Sequence, residues 1–202
     1  MWEVQSNQSE DADYQASDFL LGRINGLTFA QREKELVFYH QIAKVIIRIR
    51  KKGPIISEKD IESVTIGDEN FALKGSYTAP TGEDYKYGTW GIVANDTKGR
   101  ITPHPRTLMT DERNDFVASY EALVIPYLVD KATTLFTITL QNNLTYSYKL
   151  PGNYEGRIEW NSGKQYIYNI ELQGGRLDVT VAEGDISWGS GSGVSGNGSV
   201  EL

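Results

Sequence analysis

The sequence contains no cysteine, and only two histidines and two methionines. Without cysteine the chain can form no disulfide, no thiolate zinc site and no thiol nucleophile, so its fold depends on packing alone. No stretch approaches the roughly 20 consecutive apolar residues that a membrane-spanning helix needs. The N-terminal residues also lack the basic and apolar regions of a signal peptide, so we expect the signal region to be absent from this chain.

Positive charge is scarce as well. The formal net charge is −7 and the sequence pI is about 4.9, and a chain that repels phosphate is not expected to bind nucleic acid. One local exception is the basic run formed by Lys44, Arg48, Arg50, Lys51 and Lys52. A solvated strand face or strand end explains this run, and contact with an anionic partner is the alternative.

The abundant residue types favour β-structure. Of the 202 residues, 39% are hydrophobic and twelve are tyrosine, which is enough apolar material for a sizeable core. Aromatic and β-branched side chains fit a pleated, half-buried surface. Short apolar segments bounded by turn residues follow one another along the chain. We therefore predict an all-β fold, an antiparallel two-sheet β-sandwich of about seven to nine strands.

Alternation of apolar and polar residues is strongest in residues 160–188. Two arms joined at Gly174 and Gly175 predict a hairpin there. The period of two places one set of side chains from the first arm in the core. That set is Tyr166, Tyr168, Ile170 and Leu172.

Residues 36–54 allow two interpretations. Apolar residues at helical spacing, with a basic last turn before a Gly-Pro pair, favour a helix. The other interpretation is a strand whose parity changes near residues 40–42, as it does at a β-bulge. The β-branched run at 45–47 favours this strand, because such residues lose rotamer freedom in a helix.

The residues offer no candidate for catalysis, cofactor binding or metal binding. Neither His40 nor His104 has a partner in its own segment, and each is interpreted as a packed residue with one hydrogen bond. No nucleophile, phosphate-binding or zinc-protease motif occurs, and the acidic residues 110–115 lack the ligand spacing of a calcium loop. They lie in a polar stretch, residues 96–119, that is predicted to be a functional or mobile loop.

Two tryptophans and the N-x-S/T patterns each allow a functional and a structural interpretation. Trp90 and Trp160 stand at predicted strand starts, where exposed rings could stack on sugars, although filling the core is the default for such large side chains. N-x-S/T patterns are interpreted as turn-forming asparagines rather than glycan acceptors. They occur at Asn7, Asn95, Asn143 and Asn197.

Four segments in a fixed order resemble the Bacteroidales-type fimbrillin-like proteins, subunits of surface fimbriae and related adhesins. Residues 36–49 are similar to the F-x-H-x-x-A-K-V signature of that family, and residues 160–172 to its W-x-x-G-K-x-Y-x-Y-x-I-x-L. Residues 120–127 and 179–188 follow the same order, and residues 18–22 are similar to a D-aromatic-L stretch upstream. The resemblance is carried by His40, Ala43, Lys44, Val45, Pro126, Trp160, Gly163, Lys164, Tyr166, Tyr168 and Trp188.

The resemblance implies that residues 36–45 form a strand and that the fold is a transthyretin-like sandwich. It also implies a structural subunit of a fimbria or adhesin, assembled when a strand of one subunit completes the sheet of another. The family has no catalytic residues, so none is carried over, and it implies no cofactor. This chain departs from the family pattern at Tyr127, where a glutamine usually follows the proline. It also lacks the lipidated cysteine and the fuller N-terminal β-domain that family members carry.

The predicted organisation has three parts. They are an N-terminal extension or remnant of an upstream β-domain (1–34), the sandwich (35–188) and a flexible Gly/Ser-rich tail (189–202). The resemblance implies a location at the outer-membrane surface of a Gram-negative bacterium. The candidate partners are other fimbrial subunits and host or bacterial surface glycans or proteins. A carbohydrate-binding module that uses surface aromatics is the alternative function, and a hydrolase is a distant third.

Overall fold

The computed structural model describes residues 1–23, 37–50, 52, 57–82, 86–92, 97–129, 133–149, 158–173, 176–185 and 193–198. Within them the chain forms helix α1 (Asp11–Ala16), two 3-10 turns (Glu58–Asp60 and Glu112–Asn114) and sixteen strands. The strands are β1 (Trp2–Glu3), β2 (Leu20–Arg23), β3 (Val37–His40), β4 (Ala43–Arg50), β5 (Ile61–Ile66), β6 (Lys74–Thr78), β7 (Thr89–Gly91), β8 (His104–Arg106), β9 (Phe116–Val124), β10 (Leu128–Val129), β11 (Thr134–Leu140), β12 (Thr145–Lys149), β13 (Ile158–Glu159), β14 (Lys164–Gln173), β15 (Arg176–Asp185) and β16 (Gly193–Gly198).

Two sheets form the body of the molecule. The larger has six strands in the order β16-β15-β14-β4-β9-β8, and the smaller has three in the order β12-β11-β5. Outside them lie a three-stranded sheet, β1-β6-β7, and the pairs β2-β3 and β10-β13. The prediction of an all-β sandwich is confirmed. The two main sheets hold nine strands, which agrees with the predicted seven to nine, and the other seven described strands form the smaller sheets.

The core lies between the two main sheets, where the alternation of apolar residues predicts it. Tyr166, Tyr168, Ile170 and Leu172 of β14 are all buried, as expected for the inner face of the first arm. They meet side chains of β11 and β12, and the rings of Phe136 and Tyr168 touch edge to face at 5.6 Å. Aromatic pairs of this geometry stabilise a core beyond the area that they bury.

The segment that allowed two interpretations is extended. β3 and β4 are separated at Gln41 and Ile42, which is where the parity of the apolar residues changes. β4 is buried on both faces over most of its length, so its apolar residues follow one another without strict alternation. That double burial explains why a helical spacing could also be found in it.

One strand pair departs from the antiparallel prediction. β4 and β14 are parallel, with Gln165 paired to Lys44 and Ile170 to Ile49. The other neighbours of these strands, β9 and β15, pair with them antiparallel. A parallel pair needs a long connection between its strands, and the long stretch of chain between β4 and β14 supplies it.

The first 23 residues pack against the sandwich and contribute to its core. β1 pairs with β6, and the side chain of Val4 belongs to the same core as the main sheets. The amide of buried Gln8 forms two hydrogen bonds of 2.9 Å with the backbone of Leu123 in β9. The predicted boundary at residue 34 therefore does not separate residues 1–23 from the core of the sandwich, and residues 24–34 lie outside the described part.

The stretch predicted to be a long loop is largely integrated into the fold. Ile101 is fully buried and exchanges backbone hydrogen bonds with Ile66 at 2.8 Å, and β8 adds an edge to the six-stranded sheet. Pro103 and Pro105 alternate along this edge. Because proline has no N–H, this edge offers no donors at those positions, a known protection against pairing with another chain.

The Gly/Ser-rich C-terminal segment corrects another prediction. Residues Gly193–Gly198, expected to be part of a flexible tail, form β16 and pair antiparallel with β15 from Leu177 to Ala182. Strand pairing uses backbone groups that every residue except proline possesses, so an open edge can recruit a segment that its side chains would not mark as a strand.

Candidate functional site

The residues that carry the family resemblance separate into a core group and a group beside a groove. Ala43, Val45, Tyr166 and Tyr168 are buried between the main sheets. Pro126 and Trp160 line the groove, and Gly163 lies beneath one of its walls. Lys44 is buried on the outer face of β4, and Lys164 begins β14. Trp188 lies outside the described residues.

Trp160 is a core residue, which corrects its proposed role as a surface platform for sugars. Its side chain is 1% exposed, and its ring meets Phe71 at 5.6 Å and Tyr127 at 6.4 Å, both edge to face. The indole N–H donates to the hydroxyl of buried Tyr168 at 3.2 Å. An indole whose ring and polar atom both have partners inside the protein has nothing left to offer a ligand.

A groove of about 890 Å³ lies between β7 on one side and the segments around β10 and β13 on the other. Its aromatic members include Tyr87 and Trp90 on the first wall and Tyr127 on the second. Tyr127, the residue that departs from the family pattern, accepts a long hydrogen bond from the Ala72 N–H at 3.4 Å. Burial raises the pKa of Tyr127 well above its usual value, so this hydroxyl is neutral. The polar members of the lining include Asp68, Asn70, Thr89, Lys98, Thr133, Glu159, Asn161 and Ser162.

Gly163 shapes the first wall. Its φ is +71°, and a Cβ placed on it would come within 2.3 Å of the Tyr87 ring. Glycine is therefore needed here both for the left-handed backbone and for the close approach of the ring. The G in the W-x-x-G-K segment thus allows Tyr87 to lie against the start of β14.

Gln41 fixes the same wall of the groove through hydrogen bonds. Its fully buried side chain accepts hydrogen bonds from the Tyr77 hydroxyl (2.8 Å) and the Gly88 N–H (3.0 Å), and donates to the Lys86 carbonyl at 3.1 Å. Its backbone carbonyl accepts the indole N–H of Trp90 at 2.7 Å. Sequence reasoning missed this residue. Its position between two apolar strands is the available signal, since a buried amide must be satisfied by the backbone around it.

Three of the five residues in the basic run form ion pairs, and Lys51 lies outside the described residues. Lys44 pairs with Glu121 at 2.9 Å, and both side chains are nearly buried. Arg48 pairs with Glu112 at 2.7 Å, and Lys52 pairs with Glu171. The 3-10 turn that carries Glu112 and the outer face of β9 supply two of these carboxylates, so tertiary packing neutralises charges that look exposed in the sequence.

Glu112 joins two of the basic side chains near β4 and β8. Its carboxylate forms ion pairs with Arg48 and with Arg106, the latter at 3.1 Å, and accepts a hydrogen bond from the Met109 N–H at 3.0 Å. Burial alone would raise the pKa of Glu112, but the Met109 N–H and the two guanidinium groups outweigh it and lower that pKa below its ordinary 4.5. A carboxyl group with a depressed pKa stabilises the folded state above its unfolded pKa, and that stability is lost as the pH falls through the folded value.

We expect Glu112→Gln to lower the free energy of unfolding by about 1–3 kcal/mol at pH 7, because Arg48 and Arg106 lose their shared counter-ion. The difference from the wild type should shrink as the pH falls below the ordinary carboxyl pKa of 4.5, because the unfolded chain then takes up a proton before folded Glu112 does, and it should disappear once the pH has passed the lowered folded pKa. Urea unfolding at several pH values measures both effects. Glu69→Gln is the matched control, because Glu69 lies 3.7 Å from Arg100 with 76% of its side chain exposed, and such pairs contribute little.

Both histidines contact aspartates of the N-terminal segment. His40 Nδ1 lies 2.9 Å from Asp18 Oδ1, and His104 Nε2 lies 3.3 Å from Asp11 Oδ1. His104 also stacks on Tyr14 at 5.1 Å. Each ring therefore has partners distant in sequence, which a search within its own segment could not find.

Within the described ranges no cluster of three or more histidine or acidic side chains is arranged to hold a metal ion. None of the helices in those ranges is long and apolar enough to cross a membrane. Of the N-x-S/T asparagines, Asn143 has φ +65° and lies in the turn between β11 and β12, as predicted for a turn-forming residue.

Comparison with known proteins gives one family and several similar folds. The model of the family described as fimbrillin-like matches residues 2–187. A candidate cell adhesion protein from Bacteroides uniformis is similar in structure, with a TM-score of 0.63, 17% identity, and coverage of 91% of this chain and 64% of that one. The tip fimbrial protein Mfa3 of Porphyromonas gingivalis, truncated at its C-terminus, matches at a TM-score of 0.44 and 11% identity, over 73% of this chain and 52% of that one. The chain thus spans less than two thirds of either protein, and a search of curated sequences finds no match.

Proposed function

Because the chain belongs to the fimbrillin-like family, a family of fimbrial and adhesin subunits at the cell surface, we propose that it assembles with other subunits by β-strand complementation. The location that we propose is the outer membrane of a Gram-negative bacterium. The partners would be copies of this chain or related subunits, and no catalytic step is involved. In such an assembly an extended segment of one molecule supplies the missing edge of a sheet in another.

The observation that carries this proposal is the N-terminal strap, residues 2–8. Trp2 and Glu3 pair with β6, and the Val4 N–H donates to the Leu73 carbonyl at 2.9 Å. Farther along, the Gln8 N–H donates to the Thr102 carbonyl at 2.8 Å, and the Thr102 N–H donates to the Ser6 carbonyl at 2.8 Å. An extended segment thus already lies along open backbone edges of this fold.

The strap contributes few side chains to the core. Val4 is buried at 1% exposure, and β1 provides only two ladder pairs. Burial of a single valine stabilises the strap by about 1.5–3 kcal/mol. An equivalent strand with more apolar residues from another subunit could replace these contacts, provided that it also bonds the Leu123 backbone of β9, which the buried Gln8 side chain of the strap now satisfies.

A disulfide lock tests this proposal, since the chain has no cysteine of its own. Glu3 and Lys74 face each other across the β1-β6 ladder, where opposed Cβ atoms are about 4.5–5.5 Å apart, so the two strands must approach slightly to reach the Cβ separation of about 3.5–4.5 Å in a disulfide. We expect the oxidised Glu3→Cys/Lys74→Cys protein to remain monomeric. The reduced form should assemble like the wild type, as judged by SDS-resistant ladders and negative-stain filaments.

The single variant Glu3→Cys, treated with the same oxidant, controls for the chemistry, and titration of free thiols verifies the lock. Equal assembly of the oxidised and reduced double variants would rule out exchange of the strap. A wild-type protein that never assembles under any condition would count against strand complementation itself.

A further inference from the structure

We propose that the aromatic groove between β7 and the β10-β13 pair is a saccharide-binding site for neutral or amino-sugar oligosaccharides. This site is separate from the strap through which assembly is proposed. The groove volume of about 890 Å³ falls within the range of about 300–1,000 Å³ that holds small-molecule ligands. A chain of several sugar units fits a groove of this size that opens to solvent.

The aromatic walls provide the first argument. Tyr87 is 39% exposed at the rim of the groove, and Trp90 is half-buried behind it. Aromatic rings offer a flat apolar face with a polar handle, which suits the C–H faces of sugar rings. Leu128, 44% exposed on the opposite wall, extends the apolar surface.

These rings are held in place before any ligand arrives. The Trp90 indole is fixed by its 2.7 Å bond to the Gln41 carbonyl, and the Tyr87 ring rests against Gly163 and meets Tyr39 edge to face at 6.2 Å. A wall that does not reorganise loses less entropy when a weakly held ligand binds. The buried Gln41 side chain, which ties together the segment around Lys86 and Gly88, therefore supports the binding wall.

The polar lining provides the second argument. Asp68, Glu159, Asn161 and Ser162 place carboxylate, amide and hydroxyl groups between the two walls. Sugar hydroxyls are both donors and acceptors, and such groups match them. Asp68 is already oriented, because its oxygens accept the Asn70 N–H at 2.9 Å and the Thr134 N–H at 2.8 Å.

The charges select the class of sugar. The lining contains two carboxylates, Asp68 and Glu159, and one ammonium group, Lys98. An anionic sugar would meet like charges there, whereas a neutral or amino sugar would not. This excludes sialylated and sulfated glycans as preferred ligands. An extended peptide added to the free edge of β7 is the competing occupant, and the test distinguishes the two.

The experiment titrates the whole chain with three probes: a trimer of N-acetylglucosamine, a neutral galactose-containing oligosaccharide and its sialylated counterpart. Calorimetry and tryptophan fluorescence report binding. We expect a neutral or amino-sugar probe to bind with a Kd on the order of 1 mM or tighter. The sialylated probe should bind at least about tenfold more weakly than its neutral counterpart, because of the groove carboxylates.

Matched variants locate the site. Tyr87→Ala should weaken binding by about tenfold or more, and Tyr87→Phe should keep most of it, because the ring face does the binding. Phe38→Ala removes a ring that is more exposed than Tyr87, 56% against 39%, and that lies on β3 outside the groove lining, so it should not change binding. Thermal unfolding of each variant verifies its fold.

The proposal is wrong if no neutral or amino-sugar probe binds the wild type at about 10 mM, a concentration ten times the expected Kd. It is equally wrong if Tyr87→Ala binds normally, or if an alternating apolar peptide binds the groove in a Tyr87-dependent way while the sugars do not. None of these results depends on assembly, because filaments and SDS-resistant ladders are scored separately on the oxidised strap variant.

Discussion

Trp160→Ala is expected to lower the free energy of unfolding by about 3–5 kcal/mol, the usual cost of truncating a buried tryptophan to alanine. Trp160 is 1% exposed and packs on Phe71 and Tyr127, so its loss opens a cavity where three elements meet. It also removes the N–H partner of the Tyr168 hydroxyl. Small domains are stable by only about 5–15 kcal/mol, so the melting temperature should fall by roughly 10 °C.

Trp160→Phe separates the two contributions. It keeps most of the ring packing and loses the hydrogen bond to Tyr168, so we expect a smaller loss of about 1–2 kcal/mol. Urea and thermal unfolding measure both variants. An alanine variant as stable as the wild type would contradict the buried position of Trp160 and return this residue to the surface role that its place at a strand start allowed.

Breaking the Lys44–Glu121 pair should have the second large effect. The two side chains, 8% and 12% exposed, meet at 2.9 Å, and removing one partner of a buried pair costs about 3–5 kcal/mol because a charge is left without its counter-ion. We therefore expect Glu121→Leu to lower the free energy of unfolding by that amount. Burial and then Glu121 raise the pKa of Tyr14, and the Tyr14 hydroxyl hydrogen-bonds the Glu121 carboxylate, so this substitution also removes a contact with α1.

The double variant Lys44→Met/Glu121→Leu tests whether Lys44 serves only to neutralise the buried charge of Glu121. If Lys44 is needed only to balance a buried charge, replacing both partners with apolar groups should recover the part of the loss that comes from the uncompensated ammonium group, but not the part that comes from the contacts of Glu121 with Tyr14 and Arg106. Urea unfolding of Lys44→Met, Glu121→Leu and the double variant completes a double-mutant cycle. A double variant no more stable than Glu121→Leu would show that Lys44 contributes through other contacts.

The sequence predicts the main sheets well because their signal is local. β14 and β15 alternate strictly, and the burial of Tyr166 and Ile170 follows from that period. The strand identity of β4 is also accessible, from its β-branched run and from the family resemblance. Its parallel pairing with β14 is not, because a strand buried on both faces gives no indication of which neighbour it accepts.

The groove was harder to find in advance. The sequence indicates Trp90 as a ring that could stack on sugars, but the more exposed ring of the groove is Tyr87, which the sequence does not single out. Its position depends on Gly163, many residues away, and that glycine could be recognised only as part of a family pattern. The ion pairs of Lys44 and Arg48 were missed for the same reason, since their carboxylates come from β9 and from the 3-10 turn before it.

The parallel pairing of β4 with β14 also determines when this protein can fold. The residues of β4 meet partners roughly 120 positions later in the chain, and contacts of such long range slow folding. Until the C-terminal hairpin has been synthesised, β4 lacks one neighbour and exposes an edge rich in isoleucine and valine. A chain in which the C-terminal hairpin has not yet paired with β4 therefore leaves this apolar edge open to association with other copies.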